Sequence, residues 1–354
     1  MKTRNLGATD LNLSVVGIGT WPMGGVSAGM HWGPQDDQES IKTIQKAVDC
    51  GINWLDTAGA YGRGHAEEVV GMALKKLPKG KLIITSKCGS TAEDTMEPKS
   101  VRAQCESALR RMGLDTLDLF LAHWPRPIES MESGWQTMAD LVKEGKARYI
   151  GVSNFTIEQM EKLQPIHPIA AVEPPYSMIT RGVEDAILDY ARYHNMGVVV
   201  YSPLQQGVLT ENLKSLALAE GDFRGNNPNF KEPVLSINLK LVEELTPIAK
   251  KYGASVAQVA IAWVLRRPEV TSALNGARIP SEIEDSVRGA DITLSQADID
   301  AIEKLLTKRQ RALPPPAPRG GPGGPGGPGG GPPGGGPPGG GSPGGRPGAP
   351  PARP

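Results

Sequence analysis

The stretch GINWLDTAGAYG, from Gly51 to Gly62, combines a helix stop, a buried strand and a polar loop. Gly51 follows the segment Asp37–Cys50, whose apolar residues recur with helical spacing and share one face. The run Ile52–Ala58 lacks regular polar alternation, which is typical of a strand covered on both faces. We therefore interpret this stretch as one helix–strand–loop step of an α/β fold.

Seven further runs of the same kind occur along the chain, separated by longer segments of helical period. They are Ser14–Thr20, Leu82–Cys88, Leu117–Trp124, Ala147–Ser153, Ala170–Glu173, Gly197–Pro203 and Thr271–Gly276. Eight strand-then-helix units favour a closed parallel (β/α)8 TIM barrel over an open doubly wound sheet.

Local signals refine this barrel. The Gly- and Asp-containing turn within Leu6–Ser14 predicts an N-terminal hairpin that caps the lower end of the barrel. Thr156 with Gln159, and Ser281 with Glu284, have the capping-box spacing and predict the starts of two helices.

Two segments depart from the alternation of strands and helices. Residues 1–312 form the predicted barrel domain, whereas residues 313–354 are rich in Gly and Pro and predict a disordered tail. The long polar loop Leu204–Pro233 follows the seventh strand, and barrel enzymes build their sites at the carboxyl ends of strands. This loop is therefore expected to be functional.

The composition limits the classes of binding partner and the cellular compartment that can be expected. Lys and Arg together number 38 and so do Asp and Glu, so charge gives no argument for binding nucleic acid. Neither a signal-like apolar run at the start nor an apolar run long enough to span a membrane is present. Three cysteines without metal spacing suit a reducing compartment, so we expect a cytoplasmic protein without a metal. The oligomeric state is not readable from the residues.

Four ionisable side chains fall at or just past the ends of consecutive strands. Asp56, Lys87 and His123 lie within two residues of the ends of three of the runs, and Tyr61 lies in the loop after the first of these. In a barrel these positions converge on one mouth. A charged Lys beside a Tyr hydroxyl favours the phenolate and makes the phenol a better acid. This combination suits carbonyl reduction, in which hydride reaches carbon while an acid protonates oxygen.

Each of these residues has a plainer structural interpretation when it is taken alone. Asp56 could cap a helix, Tyr61 could be a packed loop aromatic, and His123 could be a hydrogen-bonded core residue. Lys87 is the hardest to explain as structure, because an isolated Lys at the end of an apolar strand is costly to bury. The joint pattern, in strand order, favours catalysis.

These motifs resemble the signature of the aldo-keto reductases. NWLDTAGAYG (Asn53–Gly62) is followed by TSK and LAHWP, and then by further pieces in the family's order. Those pieces are GIGTW at the first strand, GVSNF at Gly151–Phe155, PYS at Pro175–Ser177, YSPL at Tyr201–Leu204 and GAR at Gly276–Arg278. The resemblance implies that Tyr61 is the general acid, that Lys87 and Asp56 tune it, and that His123 positions the substrate carbonyl.

The resemblance also implies an NADP(H) site. Ser153, Asn154 and Glu173 would hold the nicotinamide carboxamide, although the family usually has Gln where this chain has Glu173. Tyr201 would stack under the nicotinamide ring. The remaining cofactor positions are Ser202, Leu204, Gln206 and Gly207 near the pyrophosphate, Gly276 and Arg278 at the 2′-phosphate, and Asp285 and Ser286 at the adenine, where relatives have Glu and Asn.

The substrate is expected to be a small-molecule carbonyl in an aromatic-lined cleft. Trp21 and Trp124 flank the predicted mouth, and Trp32 is a weaker candidate that could equally be rim packing.

Three other classes of protein are alternatives to this interpretation. A short-chain dehydrogenase needs Tyr-x-x-x-Lys, which none of the seven tyrosines provides. A metal-dependent barrel hydrolase needs several converging His and carboxylates, but only five His occur and no His-x-His pair. A nicotinamide-binding regulatory or sensor subunit with slow turnover could keep all four residues, so it stays the alternative.

Overall fold

The computed structural model describes residues 1–26, 31–80, 82–91, 93–215 and 217–315 of the chain. The tail predicted for residues 313–354 therefore lies outside the described residues from position 316 onward. The strands are β1 Thr3–Asn5, β2 Asn12–Ser14, β3 Val16–Gly19, β4 Trp54–Asp56, β5 Ile83–Cys88, β6 Leu117–Ala122, β7 Ala147–Ser153, β8 Ala171–Glu173, β9 Gly197–Val200 and β10 Ser272–Gly276. The α-helices are α1 Asp37–Asp49, α2 His65–Leu74, α3 Pro98–Met112, α4 Met131–Lys143, α5 Ile157–Leu163, α6 Ile187–Tyr193, α7 Val234–Lys251, α8 Val256–Leu265, α9 Pro280–Val287 and α10 Gln296–Ala312.

Strands β3 to β10 form a closed parallel barrel in chain order, and β10 pairs with β3 to complete it. Each barrel strand lies within one of the eight predicted runs, which confirms the (β/α)8 prediction. Since all eight strands run in the same direction, their carboxyl ends meet at one mouth. The functional candidates at the strand ends are thereby brought to one side of the molecule.

The lower end of the barrel is closed by the predicted hairpin. Strands β1 and β2 pair antiparallel, with Thr3 opposite Ser14. Leu6 and Leu13 from this hairpin pack with Trp54 in a buried cluster. A side chain at Gly17 would collide with the Trp54 ring, since its Cβ would lie 2.2 Å from a ring carbon. A small residue next to a large one thus fills the barrel interior.

One of the two predicted capping boxes is present. Thr156 accepts a hydrogen bond from the Gln159 backbone, and the Gln159 side chain bonds back to Thr156, at the start of α5. The prediction for Ser281 was wrong, because α9 begins at Pro280 and its N-cap is Ile279, which makes no side-chain cap bond. Proline starts the helix one position before Ser281, since its fixed φ suits the first turn.

Within the described ranges, no helix is long and apolar enough to cross a membrane.

Candidate active site

Four predicted residues meet at the barrel mouth. Asp56 ends β4, Lys87 lies in β5 and His123 directly follows β6. Lys87 Nζ donates to Asp56 Oδ1 and lies 3.4 Å from the Tyr61 hydroxyl oxygen and 3.2 Å from the Thr57 carbonyl oxygen. The imidazole of His123 lies against Tyr61, with ring centroids 5.8 Å apart. The hydroxyl, the ammonium and the imidazole thus surround one small volume.

The loop that carries Tyr61 depends on two glycines. Gly62 has a φ of 62°, in the left-handed region that favours glycine. A Cβ at Gly62 would also lie 2.0 Å from the Gly24 carbonyl oxygen, and a Cβ at Gly24 would lie 2.7 Å from the Gly62 nitrogen. The loops after β3 and β4 therefore touch backbone to backbone, which holds Tyr61 over the mouth.

Burial and Lys87 set the protonation states of these groups. Burial raises the pKa of Tyr61 above its ordinary value, whereas Lys87 acts to lower it. Burial also acts to lower the pKa of Lys87, but Asp56, Glu173 and Tyr61 together raise it, so the amine stays charged. Burial and then the charge of Lys87 hold the pKa of His123 well below its usual range. The imidazole is therefore neutral and can hydrogen-bond a carbonyl oxygen without delivering a charge.

Glu173, at the end of β8, belongs to the same cluster. Its Oε1 lies 3.6 Å from Lys87 Nζ, and its carboxyl group is within hydrogen-bonding reach of Asp56. Burial, then the nearby Asp56, raises the pKa of Glu173 well above its ordinary value. From the sequence, Glu173 was assigned only to the nicotinamide, and its contact with Lys87 was not predicted. The available signal was a carboxylate at a strand end, the same signal that identified Asp56.

The residues expected around the nicotinamide are linked to one another and to His123. Ser153 Oγ donates to the Glu173 carbonyl oxygen at 2.8 Å. Asn154 Nδ2 donates to Ser153 Oγ and to the His123 carbonyl oxygen, each at 3.0 Å, and the Tyr201 hydroxyl donates to Asn154 Oδ1 at 2.7 Å. This network joins the ends of β6, β7, β8 and β9 in one polar wall.

The loop after β9 has an unusual backbone. Ser202 and Gln206 are non-glycine residues in the left-handed region, with φ of 57° and 61°, and Gly207 has a φ of 98°. Gln206 Oε1 accepts a hydrogen bond from Asn227 Nδ2 at 2.6 Å. Leu204 begins this turn and is half-buried. Strained backbone of this kind clusters at ligand-binding loops.

Arg278 lies just past β10, beyond Gly276, and its side chain is held by the segment before α1. Its Nε donates to Gln35 Oε1 at 2.9 Å, and its Nη2 donates to the Pro34 carbonyl oxygen. The Glu282 carboxylate accepts from the Arg278 backbone nitrogen at 2.7 Å. A cation and an anion thus share the end of the barrel where the 2′-phosphate was expected.

The two predicted adenine residues already have partners inside the protein. Asp285 accepts from Gln258 Nε2 at 2.6 Å and from Ser255 Oγ at 3.2 Å. Ser286 is buried, and its hydroxyl donates to the Glu282 carbonyl oxygen at 2.7 Å. Their roles toward adenine stay predictions.

Aromatic rings line the mouth beside Tyr61. Trp21 stacks on Tyr61, with centroids 6.3 Å apart, and contacts Phe223 at 4.6 Å and Trp32 at 5.6 Å. Trp124 stacks on the His123 ring at 6.5 Å. Phe223 was missed, although it lies in the long loop that was expected to be functional. Trp32, the weaker candidate from the sequence, also packs against Trp21 in this cluster.

The polar wall is chemically suited to a nicotinamide carboxamide. Glu173 Oε2 and His123 Nδ1 are buried, and neither has a hydrogen-bond partner within the described chain. Buried polar atoms are normally paired, so atoms without a partner at a barrel mouth mark groups open to a ligand. In the part of the chain that the structure describes, no group of three or more His, Cys, Asp or Glu side chains could hold a metal ion.

Comparisons with known proteins agree with this geometry. The model of the aldo/keto reductase family matches residues 15–307. The aldo-keto reductase YhdN of Bacillus subtilis strain 168 is 35% identical over 316 residues, covering 86% of this chain and 94% of that protein. The NADH-specific methylglyoxal reductase of Escherichia coli K12 is 32% identical, over 88% of this chain and all of that protein.

A solved structure of another protein is also similar to this chain. The glycerol dehydrogenase AKR11B4 from Gluconobacter oxydans superposes with a TM-score of 0.79 at 33% identity, covering 90% of this chain and 99% of that one. The closed barrel, the strand-end cluster and these relatives together show that the chain belongs to the aldo/keto reductase family.

Proposed function

We propose that this protein is an NADP(H)-dependent oxidoreductase that reduces aldehydes or ketones to alcohols, with Tyr61 as the general acid. The observation that carries the proposal is the Tyr61 hydroxyl, which lies 3.4 Å from the Lys87 ammonium and beside a neutral His123. Membership of the aldo/keto reductase family supports the nicotinamide cofactor, and the cluster supports the acid chemistry. The free state of all three cysteines suits a reducing cytoplasm.

Each residue of the cluster would have a distinct role in carbonyl reduction. A nicotinamide cofactor, when bound, would supply the hydride for reduction or accept it in the reverse reaction. His123 donates a hydrogen bond to the carbonyl oxygen, and Tyr61 then gives that oxygen its proton. Lys87 stabilises the resulting phenolate, because its charge acts at short range inside a buried site. Ser153, Asn154 and Glu173 would hold the carboxamide of the cofactor, and Trp21, Trp124 and Phe223 would keep water away from the substrate carbonyl.

Turnover of aldehydes with NADPH tests the proposal and separates it from the sensor alternative. We expect purified protein to oxidise NADPH at a rate that depends on aldehyde concentration, across a panel that includes dicarbonyls, aromatic aldehydes and sugars. Cofactor consumption at 340 nm measures it. Tight NADPH binding with negligible turnover across the whole panel would instead favour a sensor.

The preference for NADPH over NADH rests on Arg278. A charge-assisted hydrogen bond to a 2′-phosphate contributes about 1.5–3 kcal/mol, which corresponds to a ten- to hundredfold preference. Replacing Arg278 with Ala should therefore raise the Michaelis constant for NADPH by that factor and barely change the constant for NADH. Steady-state kinetics with each cofactor measures both values.

Two further variants sharpen this test. Glu282→Gln removes the carboxylate beside Arg278 and should increase the preference for NADPH, because it removes repulsion from a phosphate. Arg110→Ala changes an exposed arginine on α3 and serves as the matched control. Equal Michaelis constants for NADPH and NADH in the unmodified protein would contradict the NADP(H) assignment. The NADH-specific methylglyoxal reductase shows that a relative of this chain can prefer the other cofactor.

A further inference from the structure

The barrel mouth holds two carboxyl groups for one ammonium. Asp56 and Glu173 are each 2% exposed, and both contact Lys87. The two carboxyls are also within hydrogen-bonding reach of each other. Asp56 Oδ2 and Glu173 Oε2 are buried, and within the described chain no donor points at either of them. Apart from the pair itself, the titratable groups around Glu173 are Lys87, Tyr61 and Tyr201.

Charge balance inside this cluster requires one more proton. If both carboxyls were ionised, two buried negative charges would face each other with only Lys87 to offset them, which is costly. One proton between the carboxyls replaces that repulsion with an O–H···O hydrogen bond. Asp56 makes the closer contact with Lys87, so the proton resides mainly on Glu173. The Gln that the aldo-keto reductases usually have at this position carries an amide, which cannot hold such a proton.

We propose that Asp56 and Glu173 share one proton at neutral pH, and that Glu173 is thereby a positioning residue that controls how strongly Lys87 acts on Tyr61. This inference rests on the proposed role of Tyr61. While the carboxyl pair keeps its proton, Lys87 faces one negative charge and retains most of its pull on the Tyr61 oxygen. When that proton is lost, a second carboxylate competes for Lys87, and the phenolate left after proton transfer is less stabilised. Carbonyl reduction then slows.

Infrared spectroscopy tests the shared proton without any need for turnover. The protein in neutral buffer should show the C=O stretch of a protonated carboxylic acid, and both Glu173→Gln and Asp56→Asn should abolish it. Either substitution leaves a single carboxylate paired with Lys87, which has no reason to keep a proton. Glu67→Gln is the matched control, because Glu67 is also fully buried but is paired with Arg111 and Ser86. That variant should keep the band.

The dependence of turnover on pH tests the positioning role. With saturating cofactor and each variant normalised to its own rate at about pH 6, the unmodified protein should lose roughly tenfold more turnover by about pH 9 than Glu173→Gln. A purely structural role would change the rate by a constant factor and leave the shape of the profile unaltered.

The outcomes separate this inference from the proposed function. Absence of the acid band in the unmodified protein, or its persistence in either carboxyl variant, would overturn the shared proton even if aldehydes are reduced. Superimposable normalised profiles would overturn the positioning role. Negligible turnover would contradict the proposed function but would not affect the infrared test of the shared proton.

Discussion

Replacing Tyr61 with Phe should lower aldehyde turnover by about 10²–10⁴-fold or more, since general acid catalysis contributes a factor of that size. The substitution removes one hydroxyl and keeps the ring that packs between Trp21 and His123. Folding and cofactor binding should therefore persist. Steady-state kinetics combined with a cofactor-binding titration measures the two effects separately.

Tyr149→Phe provides the control for this variant. Tyr149 is at the opposite end of the barrel from the mouth, near the start of β7, and its hydroxyl donates to Asp10 at 3.1 Å. Loss of this exposed contact should leave turnover unchanged. A Tyr61→Phe protein that kept more than a tenth of the original turnover would require a different proton donor.

Replacing Lys87 with Met should have the largest effect on stability. Removing one partner of a buried ion pair leaves an uncompensated charge and typically costs about 3–5 kcal/mol of the free energy of unfolding. Turnover should fall with it, because the phenolate of Tyr61 loses its only close cation among the described residues. Denaturant unfolding and kinetics on the same preparation measure both losses.

A double variant separates the electrostatic cost from the loss of chemistry. Asp56→Asn combined with Lys87→Met removes the opposite charge as well, so it should recover much of the stability and none of the turnover. Lys143→Met is the control, because Lys143 forms an exposed pair with Asp140 on the surface, and such pairs contribute little. Equal destabilisation in the single and double variants would contradict a charge effect.

The Lys87→Met protein should also depend on pH in a defined direction. Burial raises the pKa of Asp56 and Glu173 above their unfolded-state values, and loss of Lys87 removes an influence that lowers both. The native state then binds more protons than the unfolded state. Stability should therefore be greatest below the unfolded pKa of these acids and fall as the pH rises through their folded pKa values.

Much of the fold was predictable because its signals are local. A strand covered on both faces must be apolar along its length, so Leu117–Ala122 and Gly197–Val200 could be recognised without knowledge of their neighbours. The start of α9 was predicted wrongly because two local signals there disagree. Ser281 and Glu284 have the right spacing for a cap, but the adjacent proline determines where the helix begins.

Within the candidate site, the residues that were predictable are those whose positions follow from a strand end. Asp56, Lys87 and His123 each lie within two residues of the end of a recognisable run, and a parallel barrel must bring such ends together. The contacts of Glu173 and Phe223 were missed because they join segments far apart in the chain. Phe223 reaches Trp21 only through the path of a long loop, and no local periodicity specifies that path.

The sequence by itself determined the number and order of the barrel strands and the chemical types of side chain at their ends. Only the tertiary structure decided how those side chains divide the charge among themselves. Lys87 could pair with one carboxylate or contact two, and the difference depends on distances across the mouth between β4, β5 and β8. Electrostatic interaction energies and desolvation costs depend on such distances and on burial, and neither is set by spacing along the chain.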